Sequence, residues 1–405
     1  MVISGAIICD AAGERQGDVR IEEGIITEIG ENLSDGEIIP AKGCYLLPGL
    51  IDANVRLKDS QLNGKNLESL SRHALEGGVT TVVLASDSTP RVDNEITLEF
   101  VQKHRYLPNG ATIETMVSAL SDSGALSNIS IMLKKGSLAA DVTTIDDYNL
   151  ISRIAQYLKM ADKPLFYKAE DKSLFESGVM ADGTVAGRLG LSGISPMSEV
   201  VHVASLIEIA RHFGIRIVFK SITEPRSIEL INKARAEGVK AECEVSIHHL
   251  FKNDEACLGF DTDAKLNPPL VSEEKRLYLI DALKKGEIDS LTSLHQPNSD
   301  VNKDITFYDA SFGTTAVAEY LPLCYTYLVR SGILTFSRLV ELASLKPGSQ
   351  VGIESGRISV GSKADVILFD PSQTTQVVHH HSLYKNETLE GKVVMGFCRG
   401  ETTRF

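Results

Sequence analysis

One pattern recurs along this chain and restricts its fold more than any other. An apolar stripe at helical spacing ends at a glycine, and a short run suited to a fully buried strand follows. Leu67, Leu70 and Ala74 form such a stripe, Gly77-Gly78 stops it, and Val79-Thr80-Thr81-Val82-Val83-Leu84-Ala85 follows without strict alternation. Leu206, Ile209, Ala210 and Phe213 lead to Gly214 and the strand run 215–219. Thr223 is placed to cap a helix with Ile228, Ile231 and Ala234 on one face and Glu229 and Lys233 outside; Gly238 ends it before the strand run 239–245. Helix and buried strand in repeated order predict a parallel sheet with helices outside. Over roughly 290 residues the repeat favours a closed (β/α)8 barrel of the TIM type over an open sheet. No GxGxxG follows a strand run, which leaves a dinucleotide-binding fold without support.

The two ends differ from the middle. Short strand runs fill residues 2–8, 18–22 and 25–29, and similar runs fill 364–369 and 391–400. The expected organisation is a small β-sandwich module built from both termini, residues 1–50 and 346–405, flanking a barrel over residues 51–345. A chain of 405 residues with 43% hydrophobic residues can bury a core of that size. The net charge of −13 argues against a nucleic-acid partner, whose phosphates need a basic face. No apolar run reaches membrane-spanning length, so no membrane partner is expected. Met1-Val2-Ile3-Ser4-Gly5 lacks a basic export signal, and the six cysteines form no CxxC pair. A cytoplasmic protein with reduced core cysteines is the expectation.

In such a barrel the working side chains stand where strands end and βα loops begin. By that rule they are Asn54 and Arg56, Asp87, Lys168, Phe219-Lys220-Ser221, His248-His249 and Leu294-His295. The set is unusual for a metal centre, because a guanidinium carries donors only and cannot ligate a cation.

Several motifs at these positions resemble those of the dihydroorotases of the cyclic amidohydrolase superfamily. They are Pro48-Gly49-Leu50-Ile51-Asp52, Gly77-Gly78-Val79-Thr80-Thr81-Val82, Ala169-Glu170-Asp171, Glu244-Val245-Ser246-Ile247-His248-His249-Leu250, Asn267-Pro268-Pro269-Leu270 and Gly361-Ser362-Lys363-Ala364-Asp365-Val366. The resemblance implies a (β/α)8 barrel in which a metal pair makes hydroxide at neutral pH and a strand-end aspartate shuttles the proton that opens or closes a cyclic amide. It also implies departures at each aligned site position. Asn54 and Arg56 replace the two histidines of the first strand. Lys58 and Asp87 replace a substrate-gripping arginine and asparagine. Lys134, in Lys134-Lys135-Gly136, replaces the bridging acid. Lys168 and Phe219 replace further histidines, and Leu294 replaces the acid next to His295.

The expectation is therefore no catalytic residue, no metal and no cofactor. Arg56, Lys58, Lys134 and Lys168 are expected to converge at the mouth and to pair with Asp52, Asp87, Glu170 or Asp171. A sharper alternative has Arg56, Lys58, Lys168 and Asn267 holding a small anionic metabolite. His248, His249 and His295 are expected to be structural. His379-His380-His381 is expected to lie in a surface loop without sharing an ion. The resemblance extends to noncatalytic dihydroorotase-like subunits that partner aspartate transcarbamoylase, which implies a structural or regulatory role in pyrimidine biosynthesis. A divergent amidohydrolase with residual activity, a metal-free enzyme using Lys168 with Glu170 or Asp87, a metabolite sensor and a homo-oligomer stay open at this point.

Overall fold

The computed structural model describes residues 1–405 except 146 and 176. Eight parallel strands follow one another around a barrel: Leu50–Val55, Val79–Leu84, Thr112–Thr115 with its continuation Val117–Ser118, Ala140–Thr143, Leu165–Lys168, Ile217–Phe219, Ala241–Ser246 and Ser290–Thr292. The last strand closes on the first through side-chain bonds: Thr292 Oγ1 donates to Asp52 Oδ1 at 2.6 Å and the Ser293 amide donates to Asp52 Oδ2 at 3.0 Å. Ile51, Ala53, Val83, Phe166 and Val218, drawn from four strands, pack with Met116 from the third into one buried cluster.

The helices form as the apolar spacing predicts. Gly64–Glu76 buries Leu67, Leu70 and Ala74, and Asn63 caps it by accepting from the Asn66 amide. Gly77 cannot carry a side chain, because a Cβ there would meet the Val317 carbonyl oxygen at 1.8 Å, and Gly78 takes φ +84°. The chain is thus turned sharply into the strand Val79–Leu84. The helix Pro225–Ala236 starts differently from the expectation. Its N-cap is Glu224, with Pro225 in the first turn, and Thr223 instead donates through its amide and hydroxyl to Glu199 at 2.9 and 2.8 Å.

Both termini build one mixed β module, as expected. Its strands run in the order Glu401–Arg404, Thr388–Cys398, Val366–Gln376, Tyr45–Pro48, Val2–Asp10, Gly13–Glu22 and Ile25–Gly30, with Ile38–Pro40 beside Val2–Asp10. Ile3, Ile8, Val19, Leu46, Leu368 and Phe397 lie in its own core. The last barrel element is a helical run over 336–351, which passes residue 345 and carries the barrel into the stretch expected to belong to the β module. No helix among the described residues is long and apolar enough to cross a membrane.

Candidate functional site at the barrel mouth

The strand ends bring together side chains that are far apart in sequence and join them into a network of neighbouring polar groups. Asn54 is buried, and its amide Nδ2 donates to Glu244 Oε1 at 2.9 Å and to Ser221 Oγ at 3.1 Å. Arg56 donates from Nε to Asp87 Oδ2 at 3.0 Å and from Nη1 to Asn54 Oδ1 at 3.3 Å. Lys168 Nζ lies 2.9 Å from Glu170 Oε2, the oxygen that also accepts from Asn267 Nδ2 at 3.0 Å. Below them Lys220 pairs with Asp141, both 1% exposed, and the second Asp141 oxygen accepts from the Ser86 amide and hydroxyl at 2.9 and 3.1 Å. Three cations thus face three carboxylates, which lets the charges remain away from water.

The electrostatics follow from that pairing. Burial works against the Arg56 charge, but Asp87, Asp141 and Glu244 more than offset it and hold the guanidinium above its ordinary value. Burial likewise opposes the Asp87 carboxylate, and Arg56 with Lys220 brings it below the usual range. Burial wins at Lys168, whose ammonium is lowered despite Glu170 because Arg56 repels it. Glu170 is less deeply placed, so Lys168 and Asn267 overcome burial and lower it. We read the pair as charged on both sides, since the 2.9 Å contact joins a donor and an acceptor that both gain from it. Burial pushes Glu244 up to about 7, with Asp52 adding repulsion.

Two expected members are not in this network. Lys58 lies on the exposed turn Lys58–Ser60, and Lys134 is exposed at the end of the helix Ile129–Lys134, next to Lys135, which pairs with Glu95 and Glu99 on a neighbouring helix. The four cations therefore do not converge. The fourth strand, Ala140–Thr143, instead contributes Asp141, one element later than Lys134. The sequence signal was Gly136 followed by Ser137-Leu138-Ala139-Ala140-Asp141-Val142, the same glycine-then-strand pattern in a shorter form. Nor do Arg56, Lys58, Lys168 and Asn267 present a free cationic pocket: Asp87 faces Arg56, Glu170 faces both Lys168 and Asn267, and Lys58 points to solvent. The cavity beside Lys168, Glu170, Glu199, Asn267 and Lys275 measures about 40 Å³, room for a few waters.

The metal pair implied for this fold does not fit these strand ends. Asn54 presents a donor to Glu244, Arg56 and Lys168 carry positive charge, and Phe219 and Leu294 are buried hydrocarbon. Among the described residues, the one group of three or more His, Cys, Asp or Glu side chains with ligand atoms within 4.8 Å of one another is Asp300, His380 and His381. It stands on rim segments, a reduced three-residue candidate metal site that includes no strand-end position. His381 is buried, against the expectation of a surface loop, while His379 turns away to Glu319.

The remaining histidines hold backbone and neighbouring rings. His249 Nε2 donates to the Pro268 and Pro269 carbonyls at 3.1 Å each, which fastens the Asn267-Pro268-Pro269-Leu270 turn over the mouth. His248 Nδ1 lies 3.0 Å from the Tyr384 hydroxyl. His295 Nδ1 accepts from the Ala316 and Val317 amides at 3.2 and 3.3 Å, which requires that nitrogen to be unprotonated. Burial pushes His248 and His295 down to about 3 and His249 and His73 down to about 4, from 6.5.

A pH dependence follows. Each of these four imidazoles contributes stability that is present above about 6.5 and is lost as pH falls toward its folded value. Glu199 and Glu244 act oppositely: burial raises both from 4.5 to about 7, so their contribution is present at low pH and is lost as pH rises through 7. Among the groups shifted this far, four histidines outnumber two carboxylates, and net stability is expected to fall between pH 6.5 and 5. Urea midpoints measured at pH 7 and pH 5 check this; a midpoint that holds or rises on acidification contradicts it.

A model of the amidohydrolase family matches residues 45–403. A dihydroorotase from Thermoanaerobacter sp. (strain X514) is 34% identical over 383 residues, covering 92% of this chain and 88% of the relative. A dihydroorotase from Caldanaerobacter subterraneus subsp. tengcongensis is 32% identical over 410 residues, covering 98% and 94%. Among solved structures, the L-hydantoinase (dihydropyrimidinase) from Arthrobacter aurescens superposes with a TM-score of 0.88 at 20% identity, covering 100% of this chain and 95% of that one. The D-hydantoinase from Thermus sp. gives 0.85 at 22% identity, covering 99% and 94%. The structural likeness establishes the shared barrel and β module, and the sequence matches establish descent: this chain belongs to the amidohydrolase family, among its dihydroorotase-like cyclic amidohydrolases.

Proposed function

We propose that this is a dihydroorotase-like protein without metal-dependent ring-opening activity, serving as a structural or regulatory companion of aspartate transcarbamoylase in pyrimidine biosynthesis. One observation carries the noncatalytic part. The strand ends that would hold cations and substrate hold instead the Arg56–Asp87 and Lys168–Glu170 ion pairs and the Asn54–Glu244 hydrogen bond. The adjoining cavity of about 40 Å³ supports the same reading, since small-molecule sites commonly measure about 300–1,000 Å³. A well-packed barrel without that chemistry acts through its surface, and the resemblance to transcarbamoylase-partnering subunits names the partner.

Two measurements test this. Purified protein supplied with zinc or manganese is expected to leave dihydroorotate and carbamoyl aspartate at the uncatalysed rate. Turnover above that rate, lost on chelation, would return the chain to the enzymes. Mixed with aspartate transcarbamoylase from the same organism, it is expected to co-elute at higher mass and to change that enzyme's activity or stability. If neither the mass nor the activity of the transcarbamoylase changes, the companion role is wrong.

A further inference from the structure

We propose that Asp300, His380 and His381 form a mononuclear zinc site that clips the segment between the two long C-terminal strands to the rim of the barrel. The ligand atoms make a compact triangle. His380 Nδ1 lies 3.1 Å from His381 Nε2, His381 Nε2 lies 2.9 Å from Asp300 Oδ1, and His380 Nδ1 lies 3.6 Å from Asp300 Oδ1. Tetrahedral zinc with bonds of about 2.0–2.2 Å places its ligands about 3.3 Å apart, so the three atoms form one face of such a tetrahedron. His380 and Asp300 are exposed, which leaves the fourth position to water.

Neighbouring histidines share the ion here because the backbone turns between them. His381 takes φ +57°, and the two rings stand edge to face with centroids 4.5 Å apart. One ring then offers Nδ1 and the next offers Nε2 to the same point.

The site is also supported from behind. His381 is buried, and its free nitrogen Nδ1 lies 3.1 Å from Asp263 Oδ1, the carboxylate contact that orients and strengthens a metal-bound imidazole. Its carbonyl accepts from the Thr315 amide at 2.9 Å and the Thr314 hydroxyl at 3.3 Å. Asp300 is held independently: Asp59 Oδ1 accepts from the Ser299 amide and hydroxyl and from Asn302 at 2.8, 3.1 and 2.7 Å, fixing the turn that carries it. Three segments are thus set in place before any ion arrives: the loop with Asp263, the turn with Asp300 and the link with His380 and His381. Two imidazoles, one carboxylate and a water suit zinc among the abundant divalent ions, whereas calcium and magnesium prefer oxygen ligands throughout. None of these residues belongs to the strand-end network, so the site does not depend on what the mouth does.

The test uses the full chain stripped with chelator. Titration with zinc chloride followed by calorimetry is expected to give one ion per chain, a higher melting temperature, and, with cobalt in place of zinc, the strong visible absorption of four-coordinate cobalt. His380→Ala and Asp300→Asn alter exposed side chains, so the metal-free proteins should melt with wild type. Each is expected to lower zinc affinity by at least about tenfold, and Asp263→Asn by about tenfold through the orienting contact. Absence of zinc binding at about 100-fold the micromolar range expected of a three-ligand site would overturn the proposal. So would wild-type zinc affinity in both His380→Ala and Asp300→Asn, which would place the ion elsewhere.

Discussion

Lys220→Met is expected to lower the unfolding free energy by about 3–5 kcal/mol, the effect of leaving one partner of a buried ion pair without the other. Lys220 and Asp141 are each 1% exposed, and the contact joins the sixth strand end to the fourth. Methionine supplies a similar apolar stem but no charge. Asp141 would retain its bonds from Ser86 and lose the group that balances its charge. Urea denaturation of wild type, Lys220→Met, Asp141→Asn and the double variant forms a cycle that isolates the coupling. The double variant should regain part of the loss. A single-variant loss under about 1 kcal/mol would contradict the buried pair. Lys58→Ala and Lys134→Ala, both exposed, provide the contrast and should stay within about 0.5 kcal/mol of wild type.

Lys303→Met is expected to loosen the rim by about 3 kcal/mol, since hydrogen bonds to a charged group contribute about 1.5–3 kcal/mol each and removal of the buried charge offsets part of the loss. Lys303 is fully buried, and among the described residues no carboxylate lies within ion-pair distance of its ammonium. Its Nζ donates to the carbonyls of Thr262, Ser311 and Gly313, the last two at 3.1 and 2.7 Å. Burial pushes it down to about 8, so it remains charged at neutral pH while serving as a three-way tie between two loops. The loss should appear first as local opening. Hydrogen exchange is expected to speed up around residues 262–265 and 311–314 before the barrel strands respond. Unchanged exchange in both loops, with an unchanged urea midpoint, would show that the three carbonyls find other partners at no cost.

Much of the fold was legible because barrel periodicity is local. Leu67, Leu70 and Ala74 needed only their spacing to declare a helix, and Gly77-Gly78 needed only its lack of side chains to declare the turn into the next strand. Short elements were harder. The strand Ala140–Thr143 is four residues long, too brief for its pattern to mark it, so Asp141 is absent from the strand-end residues read from the chain, and Lys134 is matched to the bridging acid by resemblance alone. Thr223 had the chemistry of a helix cap, but the buried Glu199 carboxylate took its hydroxyl, and Pro225 set the helix start.

Side-chain chemistry at the mouth could be read directly from the chain, because an arginine, a phenylalanine or a leucine is a poor metal ligand in any fold. Partner choice could not. Arg56 meets Asp87, Lys220 meets Asp141 and Lys168 meets Glu170 because parallel strands end at one level, and that registry is a property of the closed barrel. The same holds at the rim, where His380 and His381 are adjacent in sequence and Asp300 is 80 residues away from the nearer of them. Local pattern arises from forces between near neighbours along the chain; pairing of distant charges waits until hydrophobic burial has brought their backbones together.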